Sequence, residues 1–304
     1  MEVKGVTILL VILCSLFSNA VCRVIDHNAT NYKTDKNNVE IQVQKQFSSK
    51  LEENGHPSPK EHCRAVVRTR TNDVRKFFGT RAWVSLYRPK VLENQWSSSR
   101  FKLLNGVESI EAGWMVNPEV FKDNEAHLYT KFSAGGKECI NTLCPGFVVH
   151  NTSVPLGYVP DVYSQVGVHQ WAWDITIKKH QDDGNWWFSV MADKEEEVLV
   201  GYWPKSLFTS LAEVASQVEW GGEIHNPGAS STQPEMGSGR VATYSTSQSA
   251  FFQRVSIINE DFQYVQPDNT EKDSDCDAYY RSLDRDSHDP YWGRLIFFGG
   301  PNEK

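Results

Sequence analysis

Three glutamates stand where this sequence could carry out acid–base chemistry. Glu111 lies in Ser109-Ile110-Glu111-Ala112-Gly113-Trp114-Met115-Val116, and Glu219 and Glu223 lie in Val218-Glu219-Trp220-Gly221-Gly222-Glu223-Ile224-His225. Two carboxyls held close together titrate as a pair, one keeping its proton while the other ionises. Such a pair supplies an acid and a base for hydrolysis and requires no metal or cofactor. Gly221 and Gly222 would let a ligand approach the backbone closely. Other chemistries have less footing. Ser238 sits between two glycines, but the Gly-x-Ser-x-Gly pattern is absent. The nine histidines form no His-Glu-x-x-His spacing and Glu195-Glu196-Glu197 reads as a solvated turn, so no metal site is predicted.

The segments that carry these acids alternate with the period of a strand. Ile110, Ala112, Trp114 and Val116 share one face, with Glu111 on the other. In the second segment Val218, Trp220 and Ile224 point inward, and Glu219, Glu223 and His225 point outward. If both strands belong to one sheet with a concave polar side, the carboxyls converge there. The clearest hairpin runs from Gln170-Trp171-Ala172-Trp173-Asp174-Ile175-Thr176-Ile177 through Asp182-Asp183-Gly184-Asn185 to Trp186-Trp187-Phe188-Ser189-Val190, and a third strand spans Glu197 to Trp203. Trp171, Trp173, Trp186, Trp187, Trp203 and Trp220 are read as interior packing, with a substrate groove as the alternative. One helix is expected, from Lys205 to about Ala215, because Pro204 can open it and Leu207, Phe208, Leu211, Val214 and Ala215 recur at helical spacing. Many strands and a single short helix predict an all-β fold, an antiparallel two-sheet sandwich.

Residues 1–20 have the form of a secretory signal peptide, with Lys4, an apolar run from Val6 to Phe17, and Ser18 and Ala20 before a cleavage point. Residues 21–60 are polar and read as a short pro-segment or tail, leaving 61–304 as one domain outside the cytosol. No stretch is apolar for the ~20 residues a membrane helix needs. A net charge of −7 without a basic cluster gives no footing for nucleic acid or an anionic membrane. Cys139 and Cys144 are expected to pair as a disulfide. Sequons at Asn28 and Asn151 predict surface glycosylation. Oligomeric state is not legible.

Seven segments in order resemble the neprosin family of plant secreted glutamic peptidases, over about Glu61 to Gly300. They are Ser109-Ile110-Glu111-Ala112-Gly113-Trp114 with Val116-Asn117-Pro118, Cys139-Ile140-Asn141-Thr142-Leu143-Cys144-Pro145-Gly146-Phe147, Gly184-Asn185-Trp186-Trp187, Gly201-Tyr202-Trp203-Pro204, Glu219-Trp220-Gly221-Gly222-Glu223, Met236-Gly237-Ser238-Gly239 and Phe298-Gly299-Gly300-Pro301. The resemblance implies a lectin-like sandwich, catalytic glutamates at Glu111 and Glu223 with Glu219 as the fallback, and cleavage of peptide or protein substrates next to proline. The chain departs from the family in three places. The segment 23–60 does not match the family's Cys-containing activation region, and Ser231 to Met236 carries extra residues. The Cys usually found beyond Gly-Gly-Pro is missing, so Cys276 is either free or paired with Cys63. A glycosidase, which also uses paired carboxylates on a β face, and a non-catalytic lectin-like binding protein are the competing readings.

Overall fold

The computed structural model describes residues 60–301 except 71, 73, 193–195, 230, 231 and 288, together with the backbone of 23–25. The strands in chain order begin with β1 (Arg23–Ile25), β2 (His62–Thr69), β3 (Gly79–Ser85), β4 (Trp96–Asn105), β5 (Glu108–Val116) and β6 (His127–Ala134). They continue with β7 (Lys137–Ile140), β8 (Val148–Val149), β9 (Gln170–Lys179), β10 (Trp186–Met191), β11 (Glu197–Trp203) and β12 (Gln217–His225). The last are β13 (Ala250–Ile258), β14 (Tyr264–Val265), β15 (Thr270–Ser274), β16 (Arg281–Arg285) and β17 (Leu295–Gly299).

Two antiparallel sheets form. One has seven strands in the order β15-β2-β12-β4-β5-β6-β7. The other has ten, running β16-β17-β13-β3-β9-β10-β11-β8, with β1 on β9 and β14 on β13. The core lies between them, as alternation in the strands dictates. Trp114 and Trp220 come from the smaller sheet, Trp173, Trp186 and Trp203 from the larger, and all five are buried. At 150–250 Å² apiece and about 25 cal/mol per Å², each contributes roughly 4–6 kcal/mol of burial. Three of the indole N–H groups also find acceptors: Trp114 donates to the Ser85 carbonyl, Trp186 to that of Leu211, and Trp220 to Thr80 Oγ1, at 2.8–2.9 Å. Trp171 and Trp187 are only half-buried, and Trp187 packs at a tilt against Tyr202 and His180.

The helix expected over Lys205 to Ala215 does not form. Only a short 3₁₀ turn, Lys205–Leu207, is present, and Phe208 is already extended at φ −116°, ψ 158°. Glu108 at the start of β5 is the cause. Its buried carboxylate accepts the backbone N–H of Thr209 and Leu211 and the hydroxyls of Thr209 and Ser210, at 2.9–3.0 Å. A helix would need those amides for its own carbonyls. Phe208, Leu211 and Ala215 still reach the core, so a loop meets the apolar spacing. The α-helix that does form, α1 (Pro118–Phe121), follows β5, with Pro at its start and the Asn117 side chain accepting the Val120 N–H at 3.2 Å.

Cys139 pairs with Cys144, and Cys276 pairs with Cys63 on β2. Asn151 is exposed. Of residues 21–60, Arg23–Ile25 align with Ala172 to Gln170 of β9. The expected signal peptide 1–20 and the sequon at Asn28 lie outside the described residues. None of the helices among the described residues is long and apolar enough to cross a membrane.

Candidate active site

Strand β4 runs between β12 and β5, and its alternation decides what faces outward. Phe101 and Leu103 are buried in the core, so Arg100 and Lys102 take the opposite face. On that face β5 contributes Glu111, Gly113 and Met115, β12 contributes Glu219, Gly221, Glu223 and His225, and β6 contributes Tyr129 and Lys131. The register sets Arg100 opposite Gly113 on one side and Gly221 on the other. With no side chain on either flank, the guanidinium can lie along the sheet and reach the acids placed diagonally across the strands. Both glycines are also sterically required. A Cβ at Gly113 would come within 1.9 Å of the Ser99 carbonyl oxygen, and one at Gly221, where φ is +153°, within 2.2 Å of that of Ala65.

Arg100 is only 1% exposed and joins all three glutamates. Its Nη1 donates to Glu219 Oε2 at 2.9 Å, its Nη2 to Glu223 Oε2 at 3.2 Å, and its Nε lies 3.9 Å from Glu111 Oε2. Glu111 is buried at 3% exposure, accepts the Tyr129 hydroxyl at 3.0 Å on Oε1, and has Lys102 Nζ 3.1 Å from Oε2. Lys102 and Lys131 are its register partners on the two flanking strands. Burial opposes ionisation of Glu111, but Lys102, Arg100 and Lys131 outweigh it and hold the carboxyl down to about 2. Glu219 is likewise lowered: burial acts against its charge, and Arg100, Lys102 and Arg64 prevail. The expectation that mutual repulsion leaves one of two clustered acids protonated therefore fails for Glu111 and Glu219. Four buried or half-buried cations, Arg64, Arg100, Lys102 and Lys131, neutralise the repulsion on which it rested. Tyr129 is pushed well above its ordinary value by burial and by Glu111, so its hydroxyl stays a donor.

The three acids differ in access. Glu223 keeps 24% of its side chain exposed and lines an open cleft of about 700 Å³, walled by Trp96, Met115, Leu143 and Lys131, with His62 at its mouth. Arg100 is the group that Glu111 and Glu223 share. Glu219, paired with Arg100 and Arg64, is as buried as Glu111, and neither of the two lines the cleft. A second recess of about 370 Å³, lined by Tyr87, Glu235 and Ser238, contains none of the three glutamates. Ser238 there donates its hydroxyl to the Gln248 carbonyl at 2.9 Å. The arrangement can hold one buried carboxylate ionised beside Arg100 and present a second to a ligand in the cleft.

A family model for neprosin matches residues 93–301. The chain belongs to the neprosin family. Three solved structures are similar in outline. Scytalido-glutamic peptidase with a transition state analog inhibitor has 7% identity and a TM-score of 0.43, covering 79% of this chain and 98% of its own. The same peptidase with a peptide-based transition state analog has 8% identity and a TM-score of 0.39, covering 79% and 97%. SCP-B, a member of the Eqolisin family of peptidases in a complex with the tripeptide Ala-Ile-His, gives 8%, 0.39, 79% and 97%.

Arg100, Lys102, Tyr129 and Lys131 were not found by reading the sequence for acids. A signal was present in Arg100-Phe101-Lys102-Leu103 and Leu128-Tyr129-Thr130-Lys131-Phe132, where alternation puts the cations and the tyrosine opposite the apolar residues.

Proposed function

We propose that this neprosin-family protein is a secreted glutamic endopeptidase that hydrolyses extended peptides, at bonds next to proline. One observation carries the reading: Glu111 and Glu223, from the two strands that flank β4, meet at one buried guanidinium, the first buried and anionic, the second lining the open cleft. In the mechanism Glu111 is the base. It takes a proton from a water that attacks the peptide carbonyl carbon, and Tyr129, Arg100 and Lys102 hold its geometry. The proton-carrying role then falls to Glu223. It protonates the leaving nitrogen as the C–N bond breaks, giving a free carboxyl and a free amine. Trp96 and Met115 on the cleft wall offer an apolar face of the kind a proline ring packs on. Two disulfides and the signal-like residues 1–20 support secretion.

The test is cleavage of a proline-rich peptide library between pH 3 and 7 by the secreted protein, with Glu111→Gln and Glu223→Gln alongside. Acid-dependent cleavage abolished by either substitution is the expected result. Sugar release without peptide cleavage, or ligand binding without turnover of either kind, overturns the proposal in favour of a glycosidase or a binding protein.

A further inference from the structure

At the end of the acid-bearing face, two strands that are remote in sequence bring imidazoles together. His225 on β12 is the register partner of His62 on β2, and on its other side of Trp96 on β4. The His62 and His225 ring centroids are 4.3 Å apart, and Trp96 stacks on His225 at 5.9 Å and 29°. Glu61 precedes β2. One ligand-type atom from each of Glu61, His62 and His225 lies within 4.8 Å of the others. In addition, Nδ1 of His225 is buried from solvent and has no hydrogen-bond partner among the described residues. An orphaned ring nitrogen beside a second imidazole and a carboxylate calls for an acceptor of lone pairs.

We propose that Glu61, His62 and His225 form a binding site for a divalent transition-metal cation, with Zn²⁺ as the reference ion. Two imidazoles and one carboxylate suit Zn²⁺ or Cu²⁺, whereas Ca²⁺ and Mg²⁺ want oxygen ligands throughout. Bonds of about 2.0–2.2 Å around a tetrahedral ion bring ligand atoms to about 3.4 Å of one another. The cluster therefore needs to contract by about 1 Å, and Glu61 and His62, both exposed, have room to turn. Three protein ligands leave a fourth position open. The site adjoins the cleft, because His62 lines it together with Glu223. An occupied site sets a dication at the mouth of the cleft, where water or a peptide carboxylate can complete its coordination.

The experiment is calorimetric titration of the untagged, full secreted protein with Zn²⁺ at pH 7, together with His62→Ala, His225→Ala and Glu61→Gln. Heat reads binding directly, so the result is independent of whether the protein cleaves peptides. The expected result is one equivalent bound at micromolar or tighter affinity. Each histidine variant weakens it by at least the 10–100-fold that loss of an outer-shell partner costs, and Ca²⁺ does not compete. His62 is exposed, so its variant keeps the fold even if His225→Ala does not. Electron paramagnetic resonance of bound Cu²⁺ should report two ligating nitrogens from imidazole. Absence of binding at 1 mM Zn²⁺, unchanged affinity in His62→Ala, or a copper signal without imidazole nitrogens overturns the proposal.

Discussion

Replacing Glu111 by Gln keeps the size of the side chain and removes its charge, which makes the electrostatics of the site measurable as stability. The Glu111 carboxyl is held at about 2, against 4.5 for a free glutamate, with Lys102, Arg100 and Lys131 overcoming the cost of burial. Each tenfold change in proton affinity is worth about 1.4 kcal/mol, so the ionised form contributes roughly 3 kcal/mol to folding. At 3% exposure, solvent screening takes little from that figure. Because the folded pKa lies below the unfolded one, this contribution is complete above about pH 4.5. It is lost as the pH falls through about 2. Urea unfolding followed by tryptophan fluorescence should therefore show the wild type about 3 kcal/mol more stable than Glu111→Gln at pH 6 to 7. The gap should narrow below pH 4.5 and nearly close by pH 2. Glu219 is lowered by the same Arg100 and Lys102, so the difference reports the titration of the cluster that contains Glu111. A gap that is constant with pH, or absent at pH 7, would refute the assignment of a stabilised anion to Glu111.

Two further substitutions probe the frame around the site. Arg100→Met leaves Glu219 and Glu111 buried without their shared cation and should cost about 3–5 kcal/mol by urea denaturation at pH 7. Arg100→Lys should recover little of this, since one ammonium cannot span both Glu219 and Glu223; full recovery would contradict the bridging role. Glu108→Ala removes the acceptor of two backbone amides and should cost roughly 2–6 kcal/mol. Hydrogen exchange should quicken at Thr209 and Leu211 first, and unchanged protection there would discount the account of the loop.

Strand parity made the shared face of Glu111, Glu219 and Glu223 legible in the sequence, because alternation around Trp114 and Trp220 is strong. It could not say which strands are neighbours. The order β12-β4-β5 is what brings Arg100 between the acids and turns a pair expected to repel into an ion-pair cluster. The motif match favoured Glu223 over Glu219, and access separates the two in the same sense, Glu223 open and Glu219 sealed. The helix over 205–215 was misread because apolar spacing says nothing about amide acceptors, and Glu108, a hundred residues away, supplies them. The opposite lapse occurred at Asn117-Pro118, a capping signal with too few apolar residues after it to register as a period. Glu61, His62 and His225 escaped for a related reason: their proximity depends on the pairing of β2 with β12.

The two disulfides stand at opposite margins of the seven-stranded sheet. Cys276 follows edge strand β15 and is tied to Cys63 on β2, while Cys139 lies on the other edge strand, β7. Edge strands are where a sheet peels open, and a peeled strand is the extended chain that peptidases grip. A peptidase with the proposed taste for extended peptides meets other copies of itself at every encounter. Fastening the β15 margin to β2 lowers the fraction of molecules open to a neighbour's cleft, so that covalent tie bears on how long the protein survives in its own company.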